Sequence, residues 1–100
     1  MMTFVCYFNF TEDGIKGIRE IEKRYTANKA LVQKLGGREI CTYVTTGQYD
    51  AIEVLEMPTA EAMAKFSATL GARGFVRTTT VQAFTPGEFA KLAADIKYAK

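Results

Sequence analysis

Two strand-like runs, Arg38 to Thr46 and Tyr49 to Met57, meet across Gly47-Gln48, and that junction constrains the fold more than any other feature of the chain. Glycine at the first central position suits a two-residue type II′ turn, which needs a positive φ there and matches the twist of the flanking strands. The turn sets a register: Thr46 opposite Tyr49, Val44 opposite Ala51, Thr42 opposite Glu53 and Ile40 opposite Leu55. Those residues share one sheet face, and Cys41, Tyr43, Ile52 and Val54 share the other. The second set is the drier. It is therefore expected to pack on helices, leaving Thr42, Tyr49, Ala51, Glu53 and Leu55 on an open face.

Around this hairpin the hydrophobic period alternates between two and 3.6. Thr3 to Phe10 reads as a strand apolar on both faces, with Phe4, Cys6, Phe8 and Phe10 alternating with Val5, Tyr7 and Asn9. Thr11 suits a helix N-cap, and Ile15, Ile18, Ile21, Tyr25, Leu31, Val32 and Leu35 keep helical spacing until Gly36-Gly37. A continuous helix there would run ~36 Å, beyond the ~26 Å of a neighbouring strand, so a break is expected near Arg24 to Thr26, with Thr26 recapping. Pro58 ends the third strand, and Thr59 caps a helix with the stripe Met63, Phe66, Ser67 and Leu70, ending at Gly71 or Gly74. Phe75 to Phe84 is a threonine-rich edge strand. Thr85-Pro86-Gly87-Glu88 is a capping box that starts a terminal helix carrying Phe89, Leu92, Ala93 and Ile96.

The order strand, helix, strand, strand, helix, strand predicts an α+β, ferredoxin-like β-α-β-β-α-β domain. Its four-stranded sheet is antiparallel, with strands one and three central and an extra C-terminal helix. Two main helices cover one face of such a sheet. The other face, ~500 Å², is large for a monomer to leave wet, so a homodimer closed face to face is expected.

One hundred residues, 48% hydrophobic and 24% charged, fit one domain spanning 1–100. The net charge of +2 comes from interspersed signs and offers no footprint for nucleic acid or an acidic membrane surface. No apolar stretch approaches the ~18 residues of a membrane span. Met1 to Phe4 lacks a basic leader and a small-residue cleavage site, so a cytoplasmic protein is expected. Cys6 and Cys41 fit neither a disulfide framework nor a zinc site and are expected to be buried, unpaired thiols with strand three between their strands. With no histidine, metal-ligand spacing or phosphate loop, no metal and no cofactor are expected.

Gly47-Gln48-Tyr49-Asp50 followed by Ala51 to Glu56, then Val76-Arg77-Thr78 and Ala83-Phe84-Thr85, resembles the GYD domain family. Asn9-Phe10-Thr11-Glu12 with Gly14, and Leu35-Gly36-Gly37, extend the likeness over nearly the whole chain. The resemblance implies a dimeric α/β barrel whose biochemical role is unassigned. Glu53 departs from the family pattern, which is more often small or apolar there, and implies a barrel interior that is ion-paired or binds a ligand.

Four residues are candidate ligand contacts: Thr42, Tyr49, Glu53 and Arg77. A carboxylate on a central strand needs a partner or a raised pKa, although a wet dimer seam or an arginine would satisfy it. Arg77 is either that partner, a bidentate clamp for an anion, or an ordinary surface arginine. Tyr49-Asp50 has a purely structural alternative in finishing the hairpin. These groups predict a small-molecule-binding or oligomerisation domain with a partly polar cavity at the dimer seam. The alternative is a cofactor-independent isomerase, dehydratase or monooxygenase that uses Glu53, Tyr49 or Tyr43 for acid-base chemistry and Arg77 as anion clamp. Catalytic residues are not assignable from the sequence. Single-stranded RNA binding, which this topology also supports, lacks its glycine-aromatic signature on the third strand.

Overall fold

The computed structural model describes residues 1–97. Its element order is β1 (Met2–Phe10), α1 (Glu12–Lys16), a 3-10 turn (Ile18–Glu20), α2 (Ile21–Lys34), β2 (Arg38–Val44), β3 (Ala51–Met57), α3 (Ala60–Arg73), β4 (Val76–Ala83) and α4 (Pro86–Ala93). The sheet runs β2-β3-β1-β4, antiparallel throughout, so β1 and β3 hold the centre as expected.

Thr11 caps α1 by accepting from the Gly14 amide at 3.1 Å. The helix then breaks at Gly17, not near Arg24 to Thr26. Arg24 supplies the reason: its Nη2 reaches back from α2 to the carbonyls of Gly14 and Gly17 at 3.1 and 3.0 Å, satisfying acceptors that the end of α1 leaves free. Thr26 does not recap; its hydroxyl donates to the Glu22 carbonyl one turn earlier in α2. Gly36, at φ 85°, ends the segment where the paired glycines indicated.

The β2–β3 ladder keeps the expected pairs Val44 with Ala51 and Thr42 with Glu53. Two details differ. First, the connection is not a two-residue turn but spans 45–50. Asp50 is drawn towards β1, its amide donating to the Phe8 carbonyl and its carboxylate accepting from the Phe10 amide, both at 2.8 Å. Thr45 closes the loop on the Asp50 and Tyr49 carbonyls at 2.8 and 2.7 Å. Second, a bulge between Glu39 and Cys41 expels Ile40, so Glu39 instead of Ile40 opposes Leu55.

The faces of the sheet are the reverse of the expectation. Phe4, Cys6 and Phe8 of β1 and Ala51, Leu55 and Met57 of β3 are buried with Val32, Met63, Phe66 and Leu70 of the helices, and Glu53 lies on this same side. Burial of each large member stabilises the fold by ~1.5–3 kcal/mol. The open face instead shows the rows Cys41-Val54-Val5-Val81 and Tyr43-Ile52-Tyr7-Thr79. Both sets alternate with apolar residues, so hydrophobicity alone did not separate them. The helices cover the set that carries Phe4 and Phe8 together with Leu55 and Met57. Cys41 consequently sits half-buried on the open side; only Cys6 is a buried thiol, and both are unpaired.

Thr59 caps α3, whose stripe is the expected one, and Gly74 ends it in the left-handed conformation. The capping box of α4 is formed, with Thr85 and Glu88 exchanging bonds of 2.8 and 3.0 Å. No residue of α4 is buried; Phe89 and Leu92 remain 52% and 49% exposed. The molecule measures 56 × 30 × 20 Å, with a radius of gyration of 15.7 Å. A compact chain of this length has ~13 Å.

Candidate functional site

Between the sheet, α2 and the end of α3 lies a cleft of about 470 Å³. Phe8, Phe10 and Ala51 form its sheet wall, Ile21 and Tyr25 its α2 wall, and Leu70 and Phe75 close the far side. The size is in the range of small-molecule sites, and the lining is mostly apolar. Into this wall the sheet places one carboxylate. Glu53 is only 3% exposed, because the period of β3 that buries Ala51, Leu55 and Met57 buries it too.

The hydrogen bonds around Glu53 are too few. Thr42 Oγ1 lies 3.5 Å from Glu53 Oε2 and 2.9 Å from Glu39 Oε1. A hydroxyl has one hydrogen to give, so the shorter contact takes it. Tyr25 donates its hydroxyl to the same Glu39 oxygen at 2.8 Å. Glu53 Oε1 and Glu39 Oε2 are buried and meet no hydrogen-bond partner among the described residues. Burial, reinforced by the charge of Glu39 and opposed by Thr42, pushes the Glu53 carboxyl up to about 7. Across the ladder, Cys6 opposes Glu53, and burial pushes its thiol up to about 11 despite a hydrogen bond from Thr80. Hydrogen bonding to Glu39 raises the Tyr25 phenol as well.

At another part of the lining, Arg24 lays its guanidinium 5.0 Å from the Phe75 ring centre and 6.0 Å from that of Phe10. Its Nε and Nη1 are buried without a hydrogen-bond partner among the described residues. The same residues include no group of three or more histidine, cysteine, aspartate or glutamate side chains arranged to hold a metal ion.

The four candidate residues do not converge. Glu53 and Thr42 meet in the cleft, as the register required. Tyr49 stacks on Tyr7 of the opposite face, ring centres 4.6 Å apart, and Arg77 opposes Asn9 on that same face, exposed to solvent. The sheet therefore separates the carboxylate from the tyrosine and arginine proposed to work with it in acid-base chemistry, and Glu53 faces the helices instead of a dimer seam. Sequence reasoning missed Glu39, Tyr25 and Arg24. Glu39 joins Thr42 and Glu53 on one face only through the bulge at Ile40; Tyr25 read as part of an apolar stripe, and Arg24 as the place of an expected helix break.

The chain matches the family model described as GYD domain over residues 4–93. It is 31% identical, over 84 residues, to a Thermus thermophilus protein named glutamine synthetase and cystathionine beta-lyase binding protein; the match covers 83% of this chain and 88% of that one. Among solved structures, an FFRP protein superposes with a TM-score of 0.59 at 19% identity, covering 84% of this chain and all of that one. TTHA0845 of Thermus thermophilus gives 0.53 at 21% identity, with 85% and 95% covered. At these identities the two structures speak for the fold.

Proposed function

This chain belongs to the GYD domain family, and we propose that it is a one-domain binding module that takes a small molecule in the cleft and pairs with a second copy through the open sheet face. The observation that carries this reading is Glu53, a carboxylate 3% exposed with an oxygen lacking a hydrogen-bond partner in the wall of an apolar cleft of about 470 Å³. Keeping an unpartnered carboxylate there costs several kcal/mol by general transfer data, ~2–7 for a polar group alone. A binding function accounts for that cost, since the missing partner arrives with the ligand. Thr42 and Glu53 are then the ligand contacts, while Tyr49 and Arg77 belong to the paired face.

The name of the Thermus relative supports a protein-binding role as well, because that protein is described as binding two enzymes. Val5, Tyr7, Ile52 and Val54 form the contiguous apolar surface suited to such contact. The unpaired thiols Cys6 and Cys41 support a reducing, cytoplasmic setting. The cleft reading is tested by titrating the labelled protein with a panel of small apolar molecules and following the methyl groups of Ile21, Val44, Ala51 and Leu70. Shifts confined to these four are expected. No shift, or shifts only at Val5, Ile52 and Val54, would refute it.

A further inference from the structure

We infer that the cleft selects an organic cation: an apolar molecule whose ammonium group sits on Glu53, with Thr42 beside it and Glu39 behind. This rests on the cleft being the binding site. It follows from what the polar groups there can still do. Glu53 presents Oε1 with no partner and Oε2 with only the long contact to Thr42. Thr42 spends its one hydrogen on Glu39 and retains a lone pair, and Tyr25 likewise spends its hydrogen on Glu39. With Glu53 ionised, as it is at pH 8, every unused position around it is therefore an acceptor. A complementary ligand must bring several donors from one atom, as an ammonium does with its three N–H bonds.

Charge points the same way. Glu39 adds a second carboxylate, with its own unpartnered oxygen, and no cation of the described residues forms an ion pair with either. The basic side chains of the lining form no ion pair with Glu53: Lys23 binds Glu20 at 3.1 Å, Arg73 the Asn28 side chain at 3.2 Å, and Arg24, whose Nη2 holds the carbonyls of Gly14 and Gly17, keeps its unpartnered Nε and Nη1 at another part of the lining, beside Phe75 and Phe10. Glu22, the remaining charged residue of the lining, adds negative charge, and Cys6 across the ladder stays a neutral thiol. A bound ammonium would favour the ionised form of Glu53, whereas a carboxylate would face two acids at close range. The apolar walls of Phe8, Ala51 and Leu70 then hold the rest of the molecule.

Calorimetric titration of the full chain with hexylamine, hexan-1-ol and hexanoate at pH 8 tests the inference. Hexylamine should bind at least about tenfold tighter than the other two. Its affinity should rise between pH 6 and pH 8 as Glu53 ionises, a readout that needs no variant. The advantage should disappear in Glu53→Gln, with hexan-1-ol binding retained, and should shrink in Glu39→Gln, whose side chain is less buried. Hexan-1-ol or hexanoate binding as tightly as hexylamine would overturn the cation assignment and leave the cleft standing as a binding site. So would an amine affinity that is flat or falling with pH, or unchanged in Glu53→Gln. Failure of all three probes to bind would overturn the cleft reading as well.

Discussion

Glu53 makes the native state hold a proton that the unfolded chain releases. With its carboxyl raised from 4.5 to about 7, the folded protein binds more protons than the unfolded one throughout that window. The stability this group contributes is therefore fully present below pH 4.5, falls as pH rises to about 7, and is lost above it; the total is on the order of 3 kcal/mol. Urea denaturation at pH 5 and pH 8 should show that loss in the wild type and little of it in Glu53→Gln, while equal slopes in both would place the titration elsewhere. Cys6 offers a second check at this scale. Its buried thiol, pushed up to about 11, stays protonated at pH 8, whereas Cys41 is half-buried on the exterior strand β2. Native protein diluted until it is monomeric, so that the face carrying Cys41 is uncovered, should accordingly release one equivalent in a thiol-disulfide exchange assay, and two in urea. Rapid release of two from native protein would contradict the packing around Cys6.

Among the elements, the α1–α2 corner is the most exacting. A Cβ on Gly14 would collide with the Phe75 carbonyl, a backbone atom that already accepts from the Thr11 amide and cannot step aside cheaply. Gly14→Ala is expected to destabilise by about 2 kcal/mol or more, read as a lower urea midpoint at unchanged slope. The sequence showed this corner only in part. Thr11 and Gly36 marked the ends of the helical region through cap chemistry, which is local. The break between them depended on Arg24 crossing ten residues to Gly14, a contact no periodicity encodes. The hairpin divides the same way. Thr42 was correctly paired with Glu53, since the count outward from Gly47-Gln48 survives a longer loop that adds residues equally to both sides. Ile40 was misplaced because a bulge leaves the apolar alternation intact while moving Glu39 to the other face. The assignment of faces failed for want of contrast: when both sides of β1 are apolar, a strand reveals its period without revealing which side meets the helices.

Taken whole, the molecule is longer than its residue count requires, and its last helix, α4, buries none of its residues. A helix of eight residues is marginal alone, below the ~12–15 at which isolated helices begin to persist in water. A partner copy covering the open sheet and α4 would remove both exposed surfaces at once. Sedimentation at micromolar concentration should show a dimer. Val54→Asp, in the middle of the open face, should dissociate it while leaving the monomer folded, and truncation after Phe84 should weaken it. A stable wild-type monomer would refute the paired-face reading. The sheet that would carry this pairing is also the floor of the cleft, a single layer in which Ile52 and Val54 point one way and Ala51, Glu53 and Leu55 the other. The cleft and the proposed seam would thus share one backbone, so a ligand that shifts β3 would act on the pairing too. By reciprocity, whatever factor a ligand applies to the dimer constant, the dimer applies to the affinity for that ligand.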